Sequence, residues 1–127
     1  MNALRKILII DDLPELHLIY KMMLLRYQCE IISALNGQEG LDRLAKHPDV
    51  DLILLDINMP LMNGLDFIRV VKEQEEYSLI PIILVTTTGM ESEAGKGLRL
   101  GAQGCIKKPF APRELHSLLD KLNLVHA

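Results

Sequence analysis

Five short apolar runs recur along the chain, and they constrain its fold more than any other feature. Each run has four or five residues, is rich in Ile, Leu and Val, and lacks the polar–apolar alternation of a half-exposed strand. Such runs are typical of strands that are buried on both faces. We therefore predict strands at Ile7–Ile10, Cys29–Ser33, Leu52–Leu55, Ile82–Val85 and, less strongly marked, Gly104–Lys107.

The segments between the runs carry apolar residues at helical spacing, and prolines at positions 14 and 112 suit the first turns of the first and fifth helices. The fourth segment, 91–100, contains Gly95 and Gly97, each costing about 1 kcal/mol relative to Ala in a helix. We expect that helix to be weakly stable and the most mobile element. Five strand–helix units predict a doubly wound α/β domain, a parallel sheet with helices on both faces.

Composition excludes several classes of protein. With 127 residues, 49% of them apolar, the chain suits one domain over residues 1–127. A formal charge of −3, with acidic and basic residues mixed, argues against direct nucleic acid binding. No apolar run approaches the ~18–20 residues of a membrane span. We expect a cytoplasmic protein without membrane insertion, and we expect its two cysteines, Cys29 and Cys105, to be buried free thiols.

Chemically capable side chains follow four of the five predicted strands. Asp11 and Asp12 follow the first strand, Asp56 the third, Thr86 the fourth and Lys108 the fifth. Any one of them alone is typical of a helix cap, a turn or a solvated side chain. Because parallel strands end at the same edge of a sheet, the five residues together predict a site at that edge.

These residues have the chemistry of a phosphoryl-transfer site. Two carboxylates ~4 Å apart repel by ~4 kcal/mol at an effective dielectric of ~20, so three require a cation. Lys108 supplies part of that charge, and oxygen ligands favour Mg²⁺ over zinc. With Thr86 as a hydrogen-bond donor, Asp56 is the best candidate for an in-line nucleophile.

Four segments together resemble the receiver domains of response regulators in two-component signalling. They are Ile-Ile-Asp-Asp at 9–12, Leu-Leu-Asp-Ile-Asn-Met-Pro-Leu-Met-Asn-Gly at 54–64, Pro-Ile-Ile-Leu-Val-Thr at 81–86 and Lys-Lys-Pro-Phe at 107–110. Each is weak alone, but their order and spacing are specific, and the resemblance covers nearly the whole chain. It implies a flavodoxin-like sheet of five strands in the order 2-1-3-4-5, flanked by five helices.

The resemblance also implies a role for each site residue. Asp56 would accept a phosphoryl group, and Asp12, Asp56 and the backbone carbonyl of Asn58 would ligate Mg²⁺ directly. Asp11 would act on the metal mostly through water. Lys108, before a cis peptide bond to Pro109, would pair with the phosphoryl oxygens, and Thr86 would move to bond the phosphate.

The implied function is a phosphorylation-dependent switch rather than a turnover enzyme, catalysing only its own phosphorylation and dephosphorylation. Its phosphoryl donor would be a sensor histidine kinase or a phosphotransfer protein. A downstream protein target or output domain would contact the face made by the fourth helix, fifth strand and fifth helix. A homodimer formed on phosphorylation is a further expectation.

Two positions depart from the family pattern. Cys105 stands where the family usually has the rotating Tyr or Phe, and Thr87 stands where it usually has Ala or Gly. A thiol cannot sweep the volume of a ring, and Thr87 is expected to narrow access to Asp56. We hypothesise that the signal travels mainly by repacking of the segment 90–100.

Three alternative functions remain open at this point. A metal-dependent aspartyl-phosphate phosphohydrolase would carry its nucleophile and acid two residues apart after the first strand, unlike the adjacent Asp11 and Asp12. A flavodoxin-type binding module would need a Gly- or Ser/Thr-rich phosphate loop there. A receiver that has lost phosphorylation is disfavoured by the complete set of acids.

Other conspicuous residues are expected to have structural roles. The four histidines, at positions 17, 47, 116 and 126, are expected on the surface, and none is spaced as a ligand pair. The methionines at 22, 23, 59, 62 and 90 are expected to pack in the core or loops.

Overall fold

Strands and helices alternate along the whole described part of the chain. The computed structural model describes residues 4–57, 59, 62–122 and 124. The strands are β1 (Lys6–Ile10), β2 (Glu30–Ala34), β3 (Leu52–Asp56), β4 (Ile82–Thr86) and β5 (Gly104–Lys107). The helices are α1 (Pro14–Met23), α2 (Gly37–Lys46), α3 (Gly64–Glu73), α4 (Glu91–Leu100) and α5 (Pro112–Lys121), with a short 3-10 turn at Leu25–Tyr27.

The strands form one parallel sheet in the order β2-β1-β3-β4-β5. This confirms the flavodoxin-like doubly wound fold. The central strands β3 and β4 are buried throughout, as their uninterrupted apolar sequences predict. Both strands run to the same edge of the sheet, where β3 ends at Asp56 and β4 at Thr86.

The edge strands differ from the prediction of burial on both faces. β2 contains exposed, half-buried and buried residues, and Ile106 is the one buried residue of β5. Cys105 is therefore exposed, and Cys29, just before β2, is half-buried, although both are free thiols. The prediction of buried thiols was wrong because an apolar run does not reveal whether its strand lies at the edge of the sheet.

Two apolar clusters fill the spaces on either side of the sheet. Alternate residues of β1 point to opposite sides: Leu8 and Ile10 join one cluster with α2 and α3, and Ile7 and Ile9 join the other with α1 and α5. Met22 is 67% exposed on the outer side of α1, so the packing prediction was wrong for that methionine.

Local signals begin the helices where the sequence predicts them. Pro14 opens α1 two residues after Asp12, and the Asn63 side chain caps α3 by accepting a hydrogen bond from the Asp66 amide at 3.0 Å. These starts hold the loops after β1 and β3 at the edge where the strands end. Among the described residues, none of the helices has both the length and the apolar character needed to cross a bilayer.

The fourth predicted helix is present, and one of its glycines has a packing role. A Cβ at Gly97 would lie 2.5 Å from Leu84 Cδ1, in fully buried β4, so this glycine allows α4 to approach the sheet closely. Gly95 has only Arg99 Nη1 nearby, at 3.7 Å. Gly97 is therefore not simply a weak point of the helix.

Candidate functional site

The three acids that follow the first and third strands meet at one edge of the sheet. β1 pairs directly with β3, which brings Asp11 and Asp12 beside Asp56. One carboxylate oxygen from each lies within 4.8 Å of the other two. Asp11 is 1% exposed and Asp56 is 7% exposed, while Asp12 is half-buried. The topology thus gathers negative charge in a place with little water to screen it.

Lys108 provides the positive charge that faces these acids. Its Nζ lies 3.1 Å from Asp11 Oδ2 and 3.8 Å from Asp56 Oδ2, and the side chain is 19% exposed. The Lys108 amide donates to the Thr86 carbonyl at 2.7 Å, which anchors the lysine to β4. The peptide bond between Lys108 and Pro109 is cis, as the resemblance implied.

Asp11 is held by donors on every side. Its Oδ1 accepts a hydrogen bond from the Leu13 amide at 3.0 Å. Its Oδ2 accepts from Lys108 and also from the Tyr20 hydroxyl at 3.4 Å. His17 Nε2 donates to the Asp11 carbonyl at 2.8 Å. These donors hold the Asp11 carboxylate in place beside the Lys108 ammonium.

The two contacts from α1 were not predicted from the sequence. His17 is buried, so the expectation of a surface histidine was wrong for this residue. Helical periodicity alone cannot show that the Tyr20 hydroxyl reaches the Asp11 carboxylate at the sheet edge. Burial, followed by the nearby Asp11 and Asp56 carboxylates, raises the pKa of Tyr20 far above its ordinary value, so the hydroxyl keeps its proton.

Thr86 ends β4 beside the acids and is buried. It also lines a groove of about 390 Å³ between β5 and α4, together with Cys105 and Gly95. The groove lies where Cys105 replaces the aromatic ring that the family resemblance leads one to expect. Thr87 is exposed and lines the same groove.

The loop after Asp56 is only partly described. Asn58, whose backbone carbonyl was predicted to ligate a metal, lies outside the described residues. Gly64 closes the loop, since its amide donates to the Ile57 carbonyl at 3.1 Å. A Cβ at this position would lie 2.7 Å from Ile57 Cα, so the close approach requires glycine.

The donor set fits a hard divalent cation. Three carboxylates face one ammonium, which leaves net negative charge at the edge of the sheet. Oxygen ligands from carboxylates suit Mg²⁺, which binds through one or two of them and keeps waters that a phosphate displaces. The residues present therefore fit the Mg²⁺ site that the sequence predicts.

Comparison with known proteins agrees with this geometry. Residues 7–120 match the family model described as the response regulator receiver domain. The chain is 37% identical over 116 residues to a chemotaxis protein CheY homolog of Campylobacter jejuni, covering 91% of this chain and 89% of that protein. It is also 37% identical over 112 residues to the transcriptional regulatory protein CpxR of Escherichia coli, covering 88% of this chain but 46% of CpxR.

Solved structures give the same result. The chemotaxis protein CheY4 of Vibrio cholerae superposes with a TM-score of 0.84 at 31% sequence identity, covering 94% of this chain and 98% of that one. The parallel sheet with its acidic edge, the match over residues 7–120 and these relatives agree with one another. The chain belongs to the response regulator receiver domain family, whose members are phosphorylation-dependent signalling modules.

Proposed function

We propose that this receiver domain accepts a phosphoryl group on Asp56 from a phosphohistidine of a sensor histidine kinase or a phosphotransfer protein. The observation that carries the proposal is the position of Asp56 at the end of β3, with Asp11, Asp12 and Lys108 around it. A carboxylate in such surroundings is a nucleophile with a cation already beside it.

In the transfer step, one Asp56 carboxylate oxygen attacks phosphorus in line with the phosphohistidine nitrogen. A P–O bond forms as the P–N bond breaks, and the leaving imidazole nitrogen retains the electron pair and takes up a proton. Lys108 turns from Asp11 and Asp56 towards the phosphoryl oxygens, where its charge offsets theirs. Thr86 then donates a hydrogen bond to the same group.

Mg²⁺ would be held by Asp12, Asp56 and the Asn58 carbonyl, with Asp11 acting through water, and it would neutralise charge on the phosphoryl oxygens. Asp11 contributes mainly by orienting Lys108, because its oxygens already accept protein donors. The chain itself thus fixes the lysine and the acids before any ligand arrives.

The signal leaves through the face formed by α4, β5 and α5, to which a downstream protein or an output domain binds. The groove beside Thr86 opens on this face and supports the proposal, because movement of Thr86 changes its lining directly.

We also propose that phosphorylation favours a homodimer. The free thiols of Cys29 and Cys105 agree with a reducing compartment, and we place the exchange in the cytoplasm, with the module comprising residues 1–127.

The proposal is tested by weighing the intact protein after incubation with acetyl phosphate and Mg²⁺. The wild type should gain about 80 Da, one phosphoryl group, and hydroxylamine should remove it. Asp56→Asn should gain nothing, whereas Asp66→Asn, an exposed acid on α3, should gain as the wild type does. Equal gain in wild type and Asp56→Asn would refute the assignment, and steady release of many phosphates per protein from a small phosphomonoester would favour a phosphohydrolase.

A further inference from the structure

Tyr20 contacts the site at two points, and the family resemblance assigns neither contact. Its ring is 2% exposed in the cluster between α1, α5 and the sheet. Its hydroxyl donates to Asp11 Oδ2 at 3.4 Å. Its ring stacks on Phe110, with centroids 6.0 Å apart and planes 11° from parallel. Tyr20 therefore contacts both the acid that holds Lys108 and the segment that follows Lys108.

The Tyr20 hydroxyl shares its acceptor with the lysine. Lys108 Nζ lies 3.1 Å from Asp11 Oδ2, and at 3.4 Å the tyrosine bond is long for an O–H···O contact. A long bond is expected where a neutral hydroxyl and an ammonium compete for one oxygen. When the ammonium leaves, the hydroxyl is free to approach and shorten that bond.

The departure of Lys108 would otherwise leave Asp11 poorly satisfied. Asp11 is almost fully buried, and the loss of a donor from a buried charged group is costly. In the proposed reaction Lys108 leaves Asp11 Oδ2 at the moment the phosphoryl group arrives. The remaining donor that the structure shows on that oxygen is Tyr20.

We infer that Tyr20 is a positioning residue for phosphoryl capture, whose hydroxyl takes over Asp11 Oδ2 when Lys108 turns to the phosphoryl group. This inference rests on the proposed function. The aromatic residue that responds to the phosphoryl group would then lie on α1. On β5, the small Cys105 stands where the family usually has an aromatic residue. The ring of Tyr20 also stacks on Phe110, which lies just before α5, so Tyr20 links the acidic site to the start of that helix.

The test uses Tyr20→Phe, which removes the hydroxyl and keeps the ring on Phe110. The full chain is titrated with beryllofluoride in excess Mg²⁺, and the half-saturating concentration is read from the thermal shift. We expect that concentration to rise roughly tenfold, the size of one hydrogen bond to a charged group. Tyr77→Phe, a buried tyrosine in the other cluster, is the matched control and should bind like the wild type.

A second readout uses the wild type itself and does not depend on how the variant folds. The chain has three tyrosines and no tryptophan, so its near-ultraviolet absorbance reports on tyrosine hydroxyls. Beryllofluoride should produce a tyrosine difference spectrum in the wild type and in Tyr77→Phe, and none in Tyr20→Phe.

The outcomes separate this inference from the proposed function. If the wild type gains a phosphoryl group while Tyr20→Phe shows unchanged half-saturation, Tyr20 only packs and the inference fails alone. The inference also fails alone if Tyr20→Phe loses the same thermal stability with and without beryllofluoride. It fails likewise if beryllofluoride produces no tyrosine difference spectrum in the wild type. A wild type that gains no phosphoryl group overturns both proposals.

Discussion

At the scale of single residues, the adjacent acids Asp11 and Asp12 differ in burial and in hydrogen-bond partners. Asp11 is buried and surrounded by donors from the Leu13 amide, Lys108 and Tyr20. Asp12 is half-buried beside Asp56. The sequence presents them as a pair, but the structure gives the two carboxylates different burial and different hydrogen-bond partners.

Removal of the Lys108 charge should destabilise the folded chain. In Lys108→Met, Asp11 and Asp56 lose their shared ammonium, and an uncompensated buried charge is expensive. Because the lysine is 19% exposed, we expect a loss of about 2–3 kcal/mol in the free energy of unfolding, measured in urea without divalent ions. Lys107→Met, one residue earlier and exposed, should change stability little. Equal effects of the two substitutions would contradict the role given to Lys108.

At the scale of elements, the positions of the strands and helices were largely predictable from the sequence, but the burial of their residues was not. Apolar runs predict β3 and β4 well because both strands are buried on both faces. The same reasoning overstates the burial of β2 and β5, because run length carries no information about which strands form the sheet edges. The expectation that His17 lies on the surface was also wrong, because the depth of a helical position depends on neighbours far away in the sequence.

The two glycines of α4 should respond oppositely to a methyl group. Gly97→Ala places a Cβ 2.5 Å from Leu84 Cδ1 in a buried strand, so we expect a loss of about 1–3 kcal/mol in unfolding free energy. Gly95→Ala brings its Cβ into no more than ordinary contact with Arg99 Nη1, at 3.7 Å, and should gain up to about 1 kcal/mol from helix propensity. Urea denaturation of both variants measures this difference. Similar changes of one sign in both would show that α4 does not pack on β4 as described.

The hypothesis that α4 carries the signal predicts a change in backbone protection. Addition of beryllofluoride and Mg²⁺ should alter amide hydrogen exchange in residues 90–100 more than in α2, which packs on the same face of the sheet but on the other side of α3. Mass spectrometry of peptic fragments measures this directly. Identical protection of 90–100 with and without beryllofluoride would exclude α4 as the route.

At the scale of the whole molecule, the topology assembles the site. Asp11 and Asp56 are 45 positions apart in sequence, yet pairing of β1 with β3 makes them neighbours. This proximity can be predicted from the sequence, because all strands of a parallel sheet end at the same edge. The supporting contacts of His17 and Tyr20 were not readable, since they depend on how α1 rotates and packs over that edge.

The central claim is that these acids become neighbours that a divalent cation stabilises. Thermal unfolding of wild type and Asp12→Ala, each with and without Mg²⁺, tests it most directly, with Asp42→Ala as an exposed control. Mg²⁺ at 100 times its dissociation constant should stabilise the wild type by about 2.7 kcal/mol.

In metal-free buffer, Asp12→Ala should melt a few degrees higher than the wild type, since roughly 1 kcal/mol of repulsion is relieved. That variant should lose the response to Mg²⁺, while Asp42→Ala should keep it. An undiminished Mg²⁺ response in Asp12→Ala, or a wild type that Mg²⁺ does not stabilise, would contradict the account.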